Sequence, residues 1–182
     1  MYLLDFKTAQ KDGRRIAVAV MRAPRWIPPI PNHFKINFDG AVFLELDAAG
    51  LGVVIFYSCG RVVGALAKRI PIPTSATIVE ALACQRALIF AKELNLKDTM
   101  FEGDAKQIMK ALLAKVVHQP KYGHVLQDSL VLASDFRVCM FTHVKRVSNF
   151  VAHFLARHSK SLQVWMGSIL EDLSPIVLRD VL

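Results

Sequence analysis

Three acids of the 182-residue chain stand out for where they fall. Asp39 closes an alternating apolar–polar run, Asp104 follows a second short run, and Glu80 lies among the apolar residues Ile78, Val79, Ala81 and Leu82. Carboxylates suit hard divalent ions such as Mg2+, which take one or two acids together with substrate phosphate and water. Two such ions held about 4 Å apart activate a water on one side of a phosphodiester and stabilise the leaving oxygen on the other. Each acid also has a purely structural reading: Asp39-Gly40 as a turn pair, Asp104 as a helix N-cap, Glu80 as an acid on a helix surface. The metal reading therefore depends on whether the elements bring the three together.

The run His33 to Gly40 places Phe34, Ile36 and Phe38 at the two-residue period of a half-buried strand that ends at Asp39-Gly40. Strands over Gly50–Tyr57 and Arg61–Lys68, linked through Ser58-Cys59-Gly60, complete an antiparallel meander. Pro71 and Pro73 break the pattern and Thr74-Ser75 can cap a helix over Ala76–Leu94, whose apolar residues Val79, Leu82, Ala83, Ala87, Phe90, Ala91 and Leu94 recur at helical spacing. A short strand over Asp98–Glu102 stops at Gly103-Asp104. It is followed by a helix to about Val117, a helix over Gly123–Ser134, a strand over Phe136–Val144 and a helix over Phe150–Ser159. A short final helix capped by Ser174-Pro175 closes the chain. This order predicts an α/β domain with a mixed five-stranded sheet, an antiparallel meander plus parallel strands, flanked by helices. Groups at the carboxyl ends of neighbouring strands in such a sheet face one crevice.

The domain spans residues 34–160, between a basic, proline-rich and poorly ordered or extended lead-in (1–33) and a C-terminal extension (161–182). The chain carries 23 Lys+Arg against 15 Asp+Glu, a formal charge of +8. Residues 105–127 hold four lysines and no acid. Residues 136–160 hold five basic residues and three histidines, again with no acid. Lys106, Lys110, Lys145 and Arg146 in these segments read either as a phosphate-tracking surface or as a solvated cationic face. Hydrophobic residues make up 53%, enough to bury a core, and no stretch approaches the about 18 apolar residues of a membrane helix, so a soluble protein is expected. Three widely spaced cysteines give neither a disulfide framework nor a zinc pattern and suggest a reducing, intracellular setting. Nuclear or cytoplasmic location and a monomer are the simplest expectations, with organelle import left open by the basic N-terminus.

These residues resemble the ribonuclease H-like domains of plants related to retrotransposon reverse transcriptases. The landmarks are Trp26-Ile-Pro-Pro, Lys35-Ile-Asn-Phe-Asp-Gly-Ala41, Gly50-Leu-Gly-Val-Val-Ile55, Val79-Glu-Ala-Leu-Ala83, Phe101-Glu-Gly-Asp104, His143-Val-Lys-Arg146 and Asn149-Phe-Val-Ala-His-Phe-Leu-Ala-Arg157. The resemblance implies a ribonuclease H fold, cleavage of the RNA strand of an RNA–DNA hybrid, and two Mg2+ or Mn2+ ions held by an Asp-Glu-Asp-Asp set. Asp39 looks like the acid bridging both ions, and Glu80 and Asp104 look like partners for one of them. The fourth position is His153, a poorer ligand for a hard ion than a carboxylate. The segment Val144 to Asn149 is too short for the histidine-bearing loop of bacterial members, and Asn149 joins the basic residues as a nucleic-acid contact. The alternative function is a catalytically inactive nucleic-acid-binding domain derived from a retroelement, with His153 marking lost chemistry.

Overall fold

The computed structural model describes residues 26–57 and 60–166 in full and the backbone of 5–11 and 14–20. One sheet of six strands carries the domain: β3 (Phe34–Phe43), β4 (Ala48–Phe56), β5 (Val62–Pro71), β6 (Asp98–Gly103), β7 (Val138–His143) and β8 (Gln163–Met166). Its spatial order is β7-β6-β3-β4-β5-β8. β3, β4 and β5 form the expected antiparallel meander, and β6 and β7 join β3 in parallel after helical crossovers. The helices are α1 (Ala76–Glu93), α2 (Lys106–Ala114), α3 (Gly123–Ala133) and α4 (Phe150–Arg157). The mixed sheet flanked by helices agrees with the sequence reading, with one strand more than the five expected.

The extra strand is β8, which pairs antiparallel with β5 from Ala67↔Gln163 to Gly64↔Met166. Sequence reading left it in the C-terminal extension because four residues are too few for a periodic signal. The helix expected at Ser174-Pro175 lies outside the described residues. At the other end, β1 (Asp5–Lys11) and β2 (Arg14–Val20) pair antiparallel in a separate two-stranded sheet. Trp26, also assigned to the lead-in, is buried against Phe56 with ring centroids 4.7 Å apart.

α1 and α4 cover opposite faces of the sheet. Ile36, Phe38, Leu51, Val53 and Ile55 pack on the α1 side in the main core, while Val54, Phe56 and Ala65 meet Val151, Ala152 and Leu155 of α4 in a second one. Every residue of β4 is buried, as a strand covered on both faces requires. Ser75 caps α1, its Oγ accepting from the Ile78 N–H at 3.4 Å.

Two glycines set how closely α4 approaches. A Cβ built on Gly50 would lie 2.0 Å from the Ala156 carbonyl oxygen, and one on Gly52 would lie 2.2 Å from that of Ala152. The helix thus rests on bare backbone of β4 rather than on side chains. Since Gly52 pairs with Asp39 across the sheet, this contact brings the middle of α4 over the middle of β3. Replacing Gly52 with Ala would force α4 outward and should cost about 3 kcal/mol of stability, as overpacking of a tight core does. Urea unfolding of the variant measures this loss, and an unchanged midpoint would contradict the packing.

Candidate metal centre

The first strand does not end at Asp39, as the sequence suggested. β3 runs on to Phe43, with Gly40 to Phe43 paired to β4, so Asp39 lies within a strand and Asp39-Gly40 is not a turn. Asp39 is fully buried. In β6 the parallel register Asn37↔Glu102 carries the chain to Asp104 just past the strand, two residues on from Glu102 as Asp39 is from Asn37. Asp104 does not cap α2, whose N-cap residue is Ala105 and has no side-chain cap. Glu80 arrives from α1 because Gly40 lacks a side chain: a Cβ there would meet the Val79 Cγ1 at 2.9 Å and the Glu80 nitrogen at 3.2 Å.

The three acids converge. Each offers an oxygen within 4.8 Å of the others, and among the described residues this is the group that could hold a metal. Burial, and after it the Asp104 charge, push the Asp39 carboxyl up to about 6 against the opposing hydrogen bond from His153. Burial and then the charges of Asp39 and Asp104 push Glu80 up to about 9, with the Gly40 N–H pulling the other way. Asp39 Oδ1, Glu80 Oε2 and Asp104 Oδ1 are buried without a hydrogen-bond partner. Buried carboxylate oxygens left without donors fit a hard cation that takes oxygen ligands.

His153 faces this group but does not join it. Its Nδ1 lies 2.6 Å from Asp39 Oδ2, where the carboxylate accepts the ring N–H, and its side chain is 22% exposed. The bond occupies the oxygen of Asp39 that is not orphaned and leaves Nε2 as the second ring nitrogen. Arg146, in the 3-10 turn Arg146–Ser148 before α4, donates through Nε to Asp104 Oδ2 at 2.9 Å. Its contact with Asp104 holds the guanidinium charged. The His143 ring is 3.2 Å from the Asp104 carbonyl oxygen.

Of the expected nucleic-acid contacts, Lys106, Lys110, Lys145 and Arg146 are exposed. Asn149 is not at the surface. Only 1% exposed, it donates to the Phe38 carbonyl at 2.9 Å and accepts from Asn37 Nδ2 at 3.2 Å. The Phe38 carbonyl lies just beyond the last parallel pair between β3 and β6, and Asn149 supplies the donor missing there. Asn37 also donates to Glu102, whose other oxygen pairs with Lys35 at 2.8 Å. Lys35, Asn37 and Asp39 form a buried polar row on the α4 face of β3. The sequence read them as the wetted side of a half-buried strand, and the burial follows from Asn149 and α4 lying over Asn37 and Asp39 and from Trp26 and Ile27 lying over Lys35. Losing one partner of a buried ion pair such as Lys35–Glu102 costs about 3–5 kcal/mol, so the row also locks the strands that carry the acids.

A reverse transcriptase-like family model matches residues 37–159, which hold all three acids and His153. The chain belongs to the reverse transcriptase-like family. A comparison with curated proteins gave no match. Among solved structures, RNase H1 from the halophilic archaeon Halobacterium salinarum is similar at a TM-score of 0.64 and 24% identity, over 70% of this chain and 96% of that one. LC11-RNase H1, solved in complex with an RNA/DNA hybrid, gives 0.62 and 21%, over 69% and 95%. The N-terminal RNase H domain of a Mycobacterium tuberculosis protein, solved as a fusion with maltose binding protein, gives 0.62 and 22%, over 69% and 91%. The family member described here thus has the RNase H fold with an acidic cluster that could hold a metal.

Unfolded carboxyls ionise near 3.8 for Asp39 and 4.5 for Glu80, and the folded ones near 6 and 9. Between those limits the folded state binds more protons than the unfolded state, so without metal its stability falls as pH rises. Melting temperatures in chelator should decline from about pH 5 to about pH 9, with Asp39→Asn flattening the slope and Mn2+ restoring more at the alkaline end. A melting temperature that climbs with pH would contradict this arrangement.

Proposed function

We propose that this protein is a metal-dependent ribonuclease H-type hydrolase that cuts the RNA strand of an RNA–DNA hybrid. The observation that carries the reading is the trio of Asp39, which is buried, with the half-buried Glu80 and Asp104, each with a buried oxygen lacking a donor, on a fold shared with RNase H1 proteins. The hybrid bound to LC11-RNase H1 supports the choice of substrate. Mg2+ or Mn2+, when bound, supplies the positive charge that activates water and stabilises the charge developing at the scissile phosphate.

The chain's own residues place that chemistry. Asp39, Glu80 and Asp104 would hold the cation through Oδ1, Oε2 and Oδ1. Burial excludes competing water from the Asp39 carboxylate, and the Asn149 clamp on the Phe38 carbonyl fixes the strand beside it. His153 orients Asp39 through its Nδ1–H and withholds the negative charge that an acid would bring at that position. Lys106 and Lys110 of α2 and Lys145 just after β7, all exposed, offer charge to phosphates along the hybrid.

The second reading, favoured by a histidine bonded to Asp39 where the resemblance expects a fourth acid, is a nucleic-acid-binding domain without turnover, a retroelement remnant. A labelled RNA–DNA hybrid incubated with Mg2+ and with Mn2+ separates the two. The hydrolase reading expects RNA-strand cutting that Asp39→Asn reduces at least about 100-fold and that His153→Asp increases. Salt-dependent hybrid binding without cutting in either metal, and no gain in His153→Asp, would overturn it in favour of the binding domain.

A further inference from the structure

The charges at the centre do not match a pair of divalent ions. Three carboxylates face one another, and the guanidinium of Arg146 already binds one of them. With all three acids ionised, as ligation of a metal requires, three negative charges less one positive leave two, the charge of a single divalent cation. Among the described residues no fourth carboxylate joins the three, and His153, at the position where the resemblance expects one, bonds to Asp39. Arg146 is also built to meet a substrate. Its Nε edge is fixed on Asp104, whose carboxylate side chain is only 8% exposed, while its own side chain is 66% exposed. The rest of the planar fork is therefore turned outward at the mouth of the centre. A guanidinium presents paired N–H donors that match two phosphate oxygens, which an ammonium cannot do.

We propose that Arg146 takes the place of a second cation in this centre: it neutralises Asp104, leaves room for one divalent ion per chain, and offers its outer N–H groups to the substrate phosphate. This rests on the hydrolase reading for its substrate, whereas the ion count and the competition for Asp104 stand on the acids alone. With Arg146 removed, the negative charge of Asp104 is no longer offset and the repulsion between guanidinium and ion disappears, so the metal binds better while the phosphate binds worse. A merely solubilising surface arginine would do neither.

The test uses metal-free full-length protein and compares the parent with Arg146→Gln, Arg146→Lys and Lys97→Gln. Lys97 is an exposed lysine preceding β6, at the opposite end of that strand from Asp104. Titration with Mn2+, followed by the paramagnetic resonance of the free ion, should give one ion per chain for the parent and about three- to tenfold tighter binding for Arg146→Gln. Affinity for a fluorescent RNA–DNA hybrid in chelator should fall about tenfold in Arg146→Gln and less than about twofold in Lys97→Gln. Arg146→Lys should keep the parent's Mn2+ affinity yet recover only part of the hybrid affinity, because it restores the charge and not the fork. Two tightly bound ions in the parent, or unchanged or weaker Mn2+ binding in Arg146→Gln, would overturn the proposal. So would a loss of hybrid affinity no larger than that of Lys97→Gln. If no form binds the hybrid, the hydrolase reading and the phosphate role fall together, and the Mn2+ titration alone decides the ion count.

Discussion

Holding three carboxyl groups together out of water is the constraint on which the rest of this domain depends. Like charges at this separation, one of them fully buried, cannot all stay ionised without a counter-charge. The protein has three ways to meet that demand. Protons remain on Asp39 and Glu80 to unusually high pH, Arg146 lies against Asp104, and partnerless oxygens on all three acids stand open to a cation. A site that stores repulsion in this way destabilises the fold unless a counter-charge meets it. Free energy released by a cation bound among the three acids would also be folding free energy.

The scaffold supplies the rigidity that such a site requires. α4 lies on Gly50 and Gly52, and α1 lies beside Gly40, so both helices meet the central strands at backbone distance. Side-chain interlayers would have introduced slack between His153 and Asp39 or between Glu80 and Asp39. Beneath the acids, the row Lys35, Glu102, Asn37 and Asn149 forms a hydrogen-bonded chain from β3 and β6 to the start of α4. Buried networks of this kind favour one arrangement of strands over others only when each member is satisfied. Asn37 Oδ1 is the exception here, buried without a donor.

Much of this was legible from residue patterns. The alternation of Phe34, Ile36 and Phe38, the Ser75 cap, and the helical spacing from Val79 to Leu94 fixed the order of elements and hence the meeting of Asp39, Glu80 and Asp104. The failures have common physical causes. Polar residues alternating with apolar ones look the same whether they face water or a second layer, so Lys35 and Asn37 read as exposed until Trp26 and α4 are laid over them. Asp-Gly favours turns by local energetics, and only cross-strand pairing of Gly40 with Leu51 carries β3 through it. Arg146 was visible as part of a basic segment. Its partnership with Asp104 spans 42 residues and depends on the parallel pairing of β6 with β7, which no local pattern encodes.

The most direct test of the account is anomalous diffraction from crystals of the protein grown with Mn2+. The account predicts a peak coordinated by Asp39 Oδ1, Glu80 Oε2 and Asp104 Oδ1, with His153 still bonded to Asp39 and not ligating the ion. Those three oxygens unengaged while ordered Mn2+ binds elsewhere on the chain, or an ion ligated by His153 in place of one of the acids, would contradict it.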